Sequence, residues 1–336
     1  MICNKRKCCL IDATFREGLQ APMVDFSLED VLAISKLIVR SGAEMLEVGH
    51  PFISANAMRH TRSVVDLNLG VPILAHARAN QKDIYAVYES GASWVGIFVG
   101  INKISEKSRL NGRSFDEILD IIYKSVRFAK SLGLSVRFTV EDSSRTSWER
   151  MNKALEVAVS AKCDRICFAD SVGIMEPKKV GSIISKIKTT FPNIDVEVHF
   201  HNDRGLAMAN SLSAVDAGAD WISVSVNGLG ERCGITDHAI LAANLYFSGI
   251  RDHTQIAARA ASDASLLVSR CSGQIMSKSY PVLGEYAFTH TARLHVLALE
   301  KDMHSYEWID PNHFNRTHQK AAIDQSIISR SKKIGQ

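Results

Sequence analysis

The stretch Glu197-Val198-His199-Phe200-His201-Asn202-Asp203 belongs to an apolar, β-branched run that predicts a β-strand. Side chains on a strand alternate between its two faces, so Glu197, His199 and His201 point to one side and the apolar residues between them to the other. Imidazole nitrogens suit zinc, manganese, iron or cobalt, and a carboxylate from elsewhere would complete a ligand set. The pattern therefore indicates a divalent-metal site, although a bare His-x-His also fits two histidines packed in a polar patch.

Size and composition are those of an ordinary globular protein with one large domain and an appendage. The chain has 336 residues, of which 46% are hydrophobic and 23% charged. A formal net charge of +4 and a short basic tail, Arg330–Lys333, indicate no nucleic-acid partner. No apolar stretch approaches the roughly 20 residues of a membrane span, so we expect no membrane association. The polar N-terminus does not resemble a signal peptide, and seven scattered cysteines suggest reduced thiols in a cytoplasmic protein.

Short apolar strands alternate with amphipathic helices from residue 8 to about residue 248. This alternation predicts an α/β fold, a (β/α)8 TIM barrel over residues 1–248. A doubly wound sheet is the alternative, but the first strand lacks a following glycine-rich turn. Residues 249–336 lose the alternation and predict a small, mostly helical C-terminal subdomain that acts as a lid or in dimerisation. The predicted strands are Cys8–Phe15, Met45–His50, Pro72–Ala77, Trp94–Gly100, Ser135–Glu141, Arg165–Asp170, Asp195–His201 and Trp221–Asn227.

Polar and charged residues end every predicted strand except the fourth. A TIM barrel carries its active site at the carboxyl ends of its strands, and buried charge is costly without partners. The pattern therefore predicts a functional site at this end, with Glu141, Asp142 and Arg145 as a supporting network. Residues at the other ends are Arg16, Glu17 and Gln20, then Glu47 and His50, then His76, then Ser171, then His199 and His201, and finally Asn227, Gly228 and Gly230.

Four motifs resemble one enzyme superfamily. They are Asp12-Ala-Thr-Phe-Arg-Glu-Gly-Leu-Gln20, Ala169-Asp-Ser-Val-Gly173, His199-Phe-His-Asn-Asp203 and Val226-Asn-Gly-Leu-Gly-Glu-Arg232. Together they resemble the acyl-CoA-dependent metal barrels that include isopropylmalate synthase, homocitrate synthase and hydroxymethylglutaryl-CoA lyase. The likeness continues through Phe288-Thr-His290, Leu294-His295 and Tyr306-Glu307. Glu17 and Glu197 make the chain more similar to homocitrate synthases than to isopropylmalate synthases.

The resemblance implies a condensation of acetyl-CoA with a 2-oxo acid, giving a homocitrate- or alkylmalate-type product and free CoA. It implies a divalent metal, Zn, Mn, Mg or Co, that polarises the keto group. Glu17, His199 and His201 would hold this metal, with Asn227 as a further ligand. Arg16 would stabilise the negative charge that develops on the keto oxygen.

The same resemblance assigns the remaining roles. His295 would be the base that removes a methyl proton from acetyl-CoA, assisted by Tyr306 and Glu197. It reaches the active site from the partner subunit in relatives, so a homodimer is implied. The 2-oxo acid would be bound by Gln20, Glu47, His76 and Ser171, and the thioester arm of acetyl-CoA would pass Gly228 and Gly230.

Three positions, His50, Ile235 and Arg293, differ from the usual family pattern and leave the identity of the 2-oxo acid open. Two alternatives also remain: a metal-dependent carbon–carbon lyase or aldolase, and a non-catalytic relative that binds a 2-oxo acid. The lyases carry Gly-Gly-Cys-Pro after strand eight, whereas this chain has Gly230-Glu-Arg-Cys233, which favours the synthase.

Overall fold

The computed structural model describes residues 8–251 and 258–320, apart from positions 315 and 318. The N-terminal residues 1–7 and the basic tail discussed above lie outside this part. Eight parallel strands pair in chain order, and the last pairs with the first to close a barrel. The predicted TIM barrel is confirmed. Its strands are β1 (Cys9–Asp12), β2 (Met45–Glu47), β3 (Ile73–Arg78), β4 (Trp94–Gly100), β5 (Ser135–Glu141), β6 (Arg165–Asp170), β7 (Asp195–Phe200) and β8 (Trp221–Val224).

Helices follow the strands and cover the barrel. Serine begins several of them: Ser27 and Ser114 each form a capping box with the acidic residue three positions later. The helices are α1 (Leu28–Arg40), α2 (Ala55–Asp66), α3 (Gln81–Glu89), α4 (Lys103–Ser108), α5 (Phe115–Ser131), α6 (Trp148–Ser160), α7 (Pro177–Thr190), α8 (Ala207–Asp216), α9 (His238–Phe247), α10 (Ala258–Ser272) and α11 (Arg293–Leu299).

The first and last strands are shorter than predicted because side chains end them. The Asp12 carboxylate accepts a hydrogen bond from the backbone N–H of Thr14, and the Thr14 hydroxyl accepts one from the N–H of Val226. The first contact forms a local turn after β1, and the second joins the loops that follow β1 and β8, so side chains take the place of ladder hydrogen bonds there. The residues beyond both strands therefore form loops at the carboxyl end of the barrel, where the sequence places its polar motifs.

The layer between the strands and the helices is apolar, whereas the interior of the barrel contains charged side chains. Outward-facing residues of β7, Val196, Val198 and Phe200, are fully buried against the helices, as the alternation predicts. The barrel interior instead contains charged side chains, including Arg137 and Arg165, each at most 2% exposed. Barrel interiors are usually filled by branched apolar residues, so this charge calls for a functional explanation.

The C-terminal region contacts the barrel through α10, which packs along α1. Beyond it, β9 (Thr289–His290) and β10 (Gln319–Lys320) form a short parallel pair, and α11 lies between them in the chain. Within the residues described, no helix has the length and apolar character needed to cross a membrane.

Candidate active site

Three ligand-type side chains converge at the carboxyl end of the barrel. Glu17 lies in the turn after β1, His199 near the end of β7 and His201 directly after it. The Nε2 atoms of the two histidines are 3.3 Å apart, and Glu17 oxygens lie 3.7 Å and 3.8 Å from them. Two ligands about 2.1 Å from one ion and about 90–110° apart lie about 3.0–3.5 Å from each other. The two histidine nitrogens lie within this range and the Glu17 oxygens slightly beyond it, so a small movement of the Glu17 side chain would place all three around one divalent cation.

The surroundings of these residues also fit a cation. The Ser223 hydroxyl lies 2.9 Å from Nδ1 of His199, which fixes the ring and turns Nε2 toward Glu17. Burial, and next Arg16, hold the pKa of His199 well below its usual 6.5. Burial also lowers the pKa of His201, although Glu17 opposes this. Both imidazoles are therefore neutral near pH 7, the form that ligates metal.

The glycine loop after β8 supports Glu17. The backbone N–H of Glu231 donates to Oε1 of Glu17 at 3.1 Å. A Cβ placed on Gly230 would lie 2.9 Å from Cγ of Glu17, so only glycine allows this approach. Gly228 has φ of +64°, a left-handed conformation that favours glycine, and lies against the Ile235 carbonyl. The expected contact of these glycines with a thioester arm stays a prediction. The observed contacts are those of Gly230 with Glu17 and of Gly228 with the Ile235 carbonyl.

A network of ion pairs lies beneath Glu17, His199 and His201, which we call the metal-type residues. Arg16 donates to Glu17, and its Nε donates to Glu47 at 3.0 Å. Both terminal nitrogens of Arg137 donate to the Glu47 carboxylate, at 3.1 Å and 3.0 Å. Burial raises the pKa of Glu47, but Arg137 and Arg16 outweigh it and hold that pKa well below 4.5. Glu47 is therefore an ionised anchor for two arginines.

An open cavity of about 150 Å³ lies above this network. It is lined by nine of the residues that the sequence analysis singled out individually and by six others. The nine are Arg16, Glu17, Gln20, His76, Glu141, Ser171, Glu197, His199 and His201, and the others are Phe98, Arg137, Thr139, Cys167, Ala169 and Glu231. Polar residues occupy alternating positions of β5, namely Arg137, Thr139 and Glu141. This alternation could have predicted from the sequence that one face of β5 lines the cavity.

Three assignments change because the side chains have other partners, and Asn227 is the first. Asn227 does not join the metal-type residues: its amide Nδ2 donates to the Ser265 carbonyl at 3.0 Å and to Ser269 Oγ at 3.1 Å, both on α10. Its left-handed backbone, with φ of 59°, turns it toward that helix. We therefore leave Asn227 out of the ligand set.

Glu47 and Glu197 are also placed differently from the expectation. Glu47 is fully buried below the cavity, so its carboxylate contacts arginines rather than a substrate. The two oxygens of Glu197 accept separately from Arg137 at 2.7 Å and from Arg165 at 3.1 Å. Both oxygens of Glu197 are thus occupied by arginines, so the observed contacts assign it to positioning arginines rather than to assisting a base.

His295 and Tyr306 lie together in the C-terminal region, with rings stacked 3.8 Å apart. Neither lines the cavity of its own chain. Tyr306 is 50% exposed, and the neighbouring Leu294 is 77% exposed. The pair therefore faces outward, and its catalytic role stays a prediction that requires a second chain.

The three unusual positions have local explanations. His50 lies 2.8 Å from the Asp83 carboxylate at the rim of the barrel. Ile235 is 2% exposed and pairs with His201 in an isolated antiparallel bridge. Arg293 is exposed at the start of α11. The expected supporting network at the end of β5 is present in part: Arg145 donates to Asp142 at 2.9 Å, whereas Glu141 pairs with Arg109 and lines the cavity.

Comparison with known proteins agrees with this geometry. A family model described as HMGL-like matches residues 7–268. Homocitrate synthase of Pyrococcus abyssi is 38% identical over 308 residues, covering 91% of this chain and 84% of that protein. Homocitrate synthase of Sulfurisphaera tokodaii is 36% identical, covering 92% of this chain and 67% of that protein. The crystal structure of Bacillus subtilis HMG-CoA lyase has a TM-score of 0.70 at 20% identity, covering 81% of this chain and 95% of that one.

The lyase shows the shared fold, whereas the synthases align at much higher identity along most of both chains. The resemblance stated from the motifs is confirmed. This chain belongs to the HMGL-like family, and its relatives within that family include archaeal homocitrate synthases.

Proposed function

We propose that this protein condenses acetyl-CoA with a 2-oxo acid and that water then hydrolyses the resulting thioester, releasing CoA and a homocitrate- or alkylmalate-type product. The observation that carries the proposal is the convergence of Glu17, His199 and His201 beside Arg16 on one cavity wall. The names of the synthase relatives agree with it. A divalent cation held by the three ligands, zinc, manganese, magnesium or cobalt, would supply Lewis-acid polarisation of the keto group.

Arg16 stabilises the oxygen on which negative charge develops. Its guanidinium is held by Glu17 and Glu47, so its orientation is set before substrate binds. A permanently charged, preorganised donor of this kind favours the transition state over the ground state.

Ser171 and Gln20 bind the carboxylate of the 2-oxo acid. The Ser171 hydroxyl accepts from the backbone N–H of Asp142 at 3.0 Å, which leaves its own proton free to donate to an anion. His76 stacks on Phe98 at 4.8 Å and extends the same wall of the cavity. Burial holds the pKa of His76 well below 6.5 against the effect of Glu47, so its neutral ring shapes the cavity.

His295 removes the methyl proton of acetyl-CoA in the cavity of a partner subunit, with Tyr306 beside it. The outward-facing stack of the two rings and their absence from their own cavity support a homodimer. We also place the protein in the cytoplasm, where acetyl-CoA and reducing conditions occur together, because the described cysteines are not cross-linked by disulfides.

The test is CoA release from acetyl-CoA, followed with a thiol reagent, by protein loaded with manganese or zinc. The panel contains 2-oxoglutarate, 2-oxoisovalerate, pyruvate and oxaloacetate. We expect one acid to stimulate release strongly. Absence of release with every acid, together with cleavage of a 3-hydroxyacyl-CoA, would instead assign a lyase.

A further inference from the structure

Five charges alternate in sign through the barrel, the first four buried and the last partly exposed to the cavity, and we name them the charged column: Arg165, Glu197, Arg137, Glu47 and Arg16. Arg165 is the first residue of β6, whereas Glu47 is the last of β2 and Arg16 follows β1. The column therefore runs from the amino end of the barrel to the metal-type residues. Each neighbouring pair is in contact, at 3.1 Å, 2.7 Å, 3.0 Å and 3.0 Å in that order.

Two tryptophans hold the lower end of the column. The guanidinium carbon of Arg165 lies 3.7 Å from the ring centre of Trp221 and 4.6 Å from that of Trp94. Trp221 is itself fixed, since its Nε1 donates to Asp195 at 3.0 Å. A planar guanidinium stacks on indole rings in a way that an ammonium cannot, so the site selects arginine.

Stability alone does not account for the column. Arg165, Glu197, Arg137 and Glu47 are each at most 2% exposed, and removing such charges from water costs about as much as their pairing returns. Branched apolar side chains would fill a barrel equally well. Two members of the column, Arg137 and Arg16, line the cavity. The positions of their guanidinium groups in the cavity therefore depend on the contacts of the rest of the column.

We propose that Arg165, seated between Trp94 and Trp221, is a positioning residue for binding of the 2-oxo acid. It fixes one oxygen of Glu197, whose other oxygen fixes Arg137 in the cavity wall. Glu47 accepts hydrogen bonds from both Arg137 and Arg16 and so fixes their positions relative to each other. Arg165 does not line the cavity, so it acts through the column and not by contact with substrate. This inference rests on the proposed function.

The test compares Arg165→Lys with a matched control, Arg251→Lys, in the manganese-loaded full chain. Arg251 is also a buried arginine, 4% exposed and paired with Glu44, but it lies outside the column. Measured quantities are KM for 2-oxoglutarate or the best acid of the panel, KM for acetyl-CoA, bound manganese and Tm. Calorimetric binding of the same acid gives an affinity that does not depend on turnover.

We expect Arg165→Lys to weaken acid binding by about tenfold or more, because small misplacements of a binding group are costly. KM for acetyl-CoA and bound manganese stay at wild-type values. Arg251→Lys lowers Tm without changing acid binding. The loss in Arg165→Lys combined with Arg137→Lys is smaller than the product of the separate losses, since both act on one contact chain. If Arg165→Lys does not fold, Trp221→Phe takes its place, with a smaller loss in the same direction.

Wild-type acid binding by Arg165→Lys would overturn the inference, as would equal losses in Arg251→Lys or fully multiplicative losses in the double variant. Failure of the proposed function is distinguishable, because wild-type protein would then neither bind any acid of the panel nor release CoA.

Discussion

Substitution of Gly230 by alanine adds one methyl group directly beside Glu17. A methyl group at this site would lie 2.9 Å from Cγ of Glu17 and 3.3 Å from Oε1. Carbon atoms in contact are ordinarily at least about 3.5 Å apart, so Glu17 in Gly230→Ala must withdraw by about 0.6 Å. Metal–ligand distances tolerate only about 0.2 Å. We therefore expect a loss of about 10- to 100-fold in metal affinity, or about 1.4–2.7 kcal/mol.

The assay is manganese binding to chelator-stripped protein, followed by the electron paramagnetic resonance signal of free ion. Gly181→Ala in α7 is the matched control, because its new methyl group meets only the Ser213 hydroxyl, at 3.2 Å. Gly230 is not among the glycines with positive φ, so its own backbone conformation accepts alanine, although the methyl group would also lie 3.2 Å from Cα of Gly234 in the same loop. Unchanged manganese affinity in Gly230→Ala would refute the assignment of Glu17 as a ligand supported by this loop.

Three further predictions follow from the site. Asn227→Ala keeps manganese affinity but lowers the free energy of unfolding by about 1–3 kcal/mol, since its contacts are with α10; loss of manganese in this variant, measured beside a urea titration, would restore Asn227 as a ligand. His199→Ala loses bound metal and CoA release together, whereas His295→Ala keeps the metal and loses release. Normal turnover by His295→Ala would exclude it as the base. Glu47→Gln has a lower Tm than wild type at neutral pH, and this difference shrinks as the pH falls below 4.5. The reason is that arginines hold the pKa of Glu47 below its unfolded value, so the stability it adds is present above that value and lost on acidification. A difference in Tm that is constant with pH would contradict the ionised state of Glu47.

The barrel and the histidine pair were predictable because both follow from local periodicity. Alternation along β7 places His199 and His201 on one face, and the carboxyl-end rule places the turn after β1 at the same end of the barrel. The choice of Glu17 as the carboxylate of this set came from the resemblance of the first motif to the enzyme superfamily. The sequence also showed that Glu47 and Glu197 belong to the site region.

Local periodicity does not predict how deeply a polar side chain is buried or which distant side chains it contacts. Glu47 and Glu197 differ from a substrate ligand only in the arginines that reach them, and Arg137 lies 90 and 60 positions away in the chain. Asn227 is turned away by a left-handed backbone conformation that periodicity does not encode. The direction in which His295 and Tyr306 face depends on how the C-terminal region folds beside the barrel.

The central claim is that one divalent ion, held by Glu17, His199 and His201, is required for condensation. The most direct measurement is CoA release by chelator-stripped protein as manganese is added back in the presence of the preferred 2-oxo acid. We predict no release without metal and full recovery at one equivalent per chain, with no recovery in His199→Ala at the same concentration. Full release by stripped protein, or recovery in His199→Ala equal to wild type, would contradict the account.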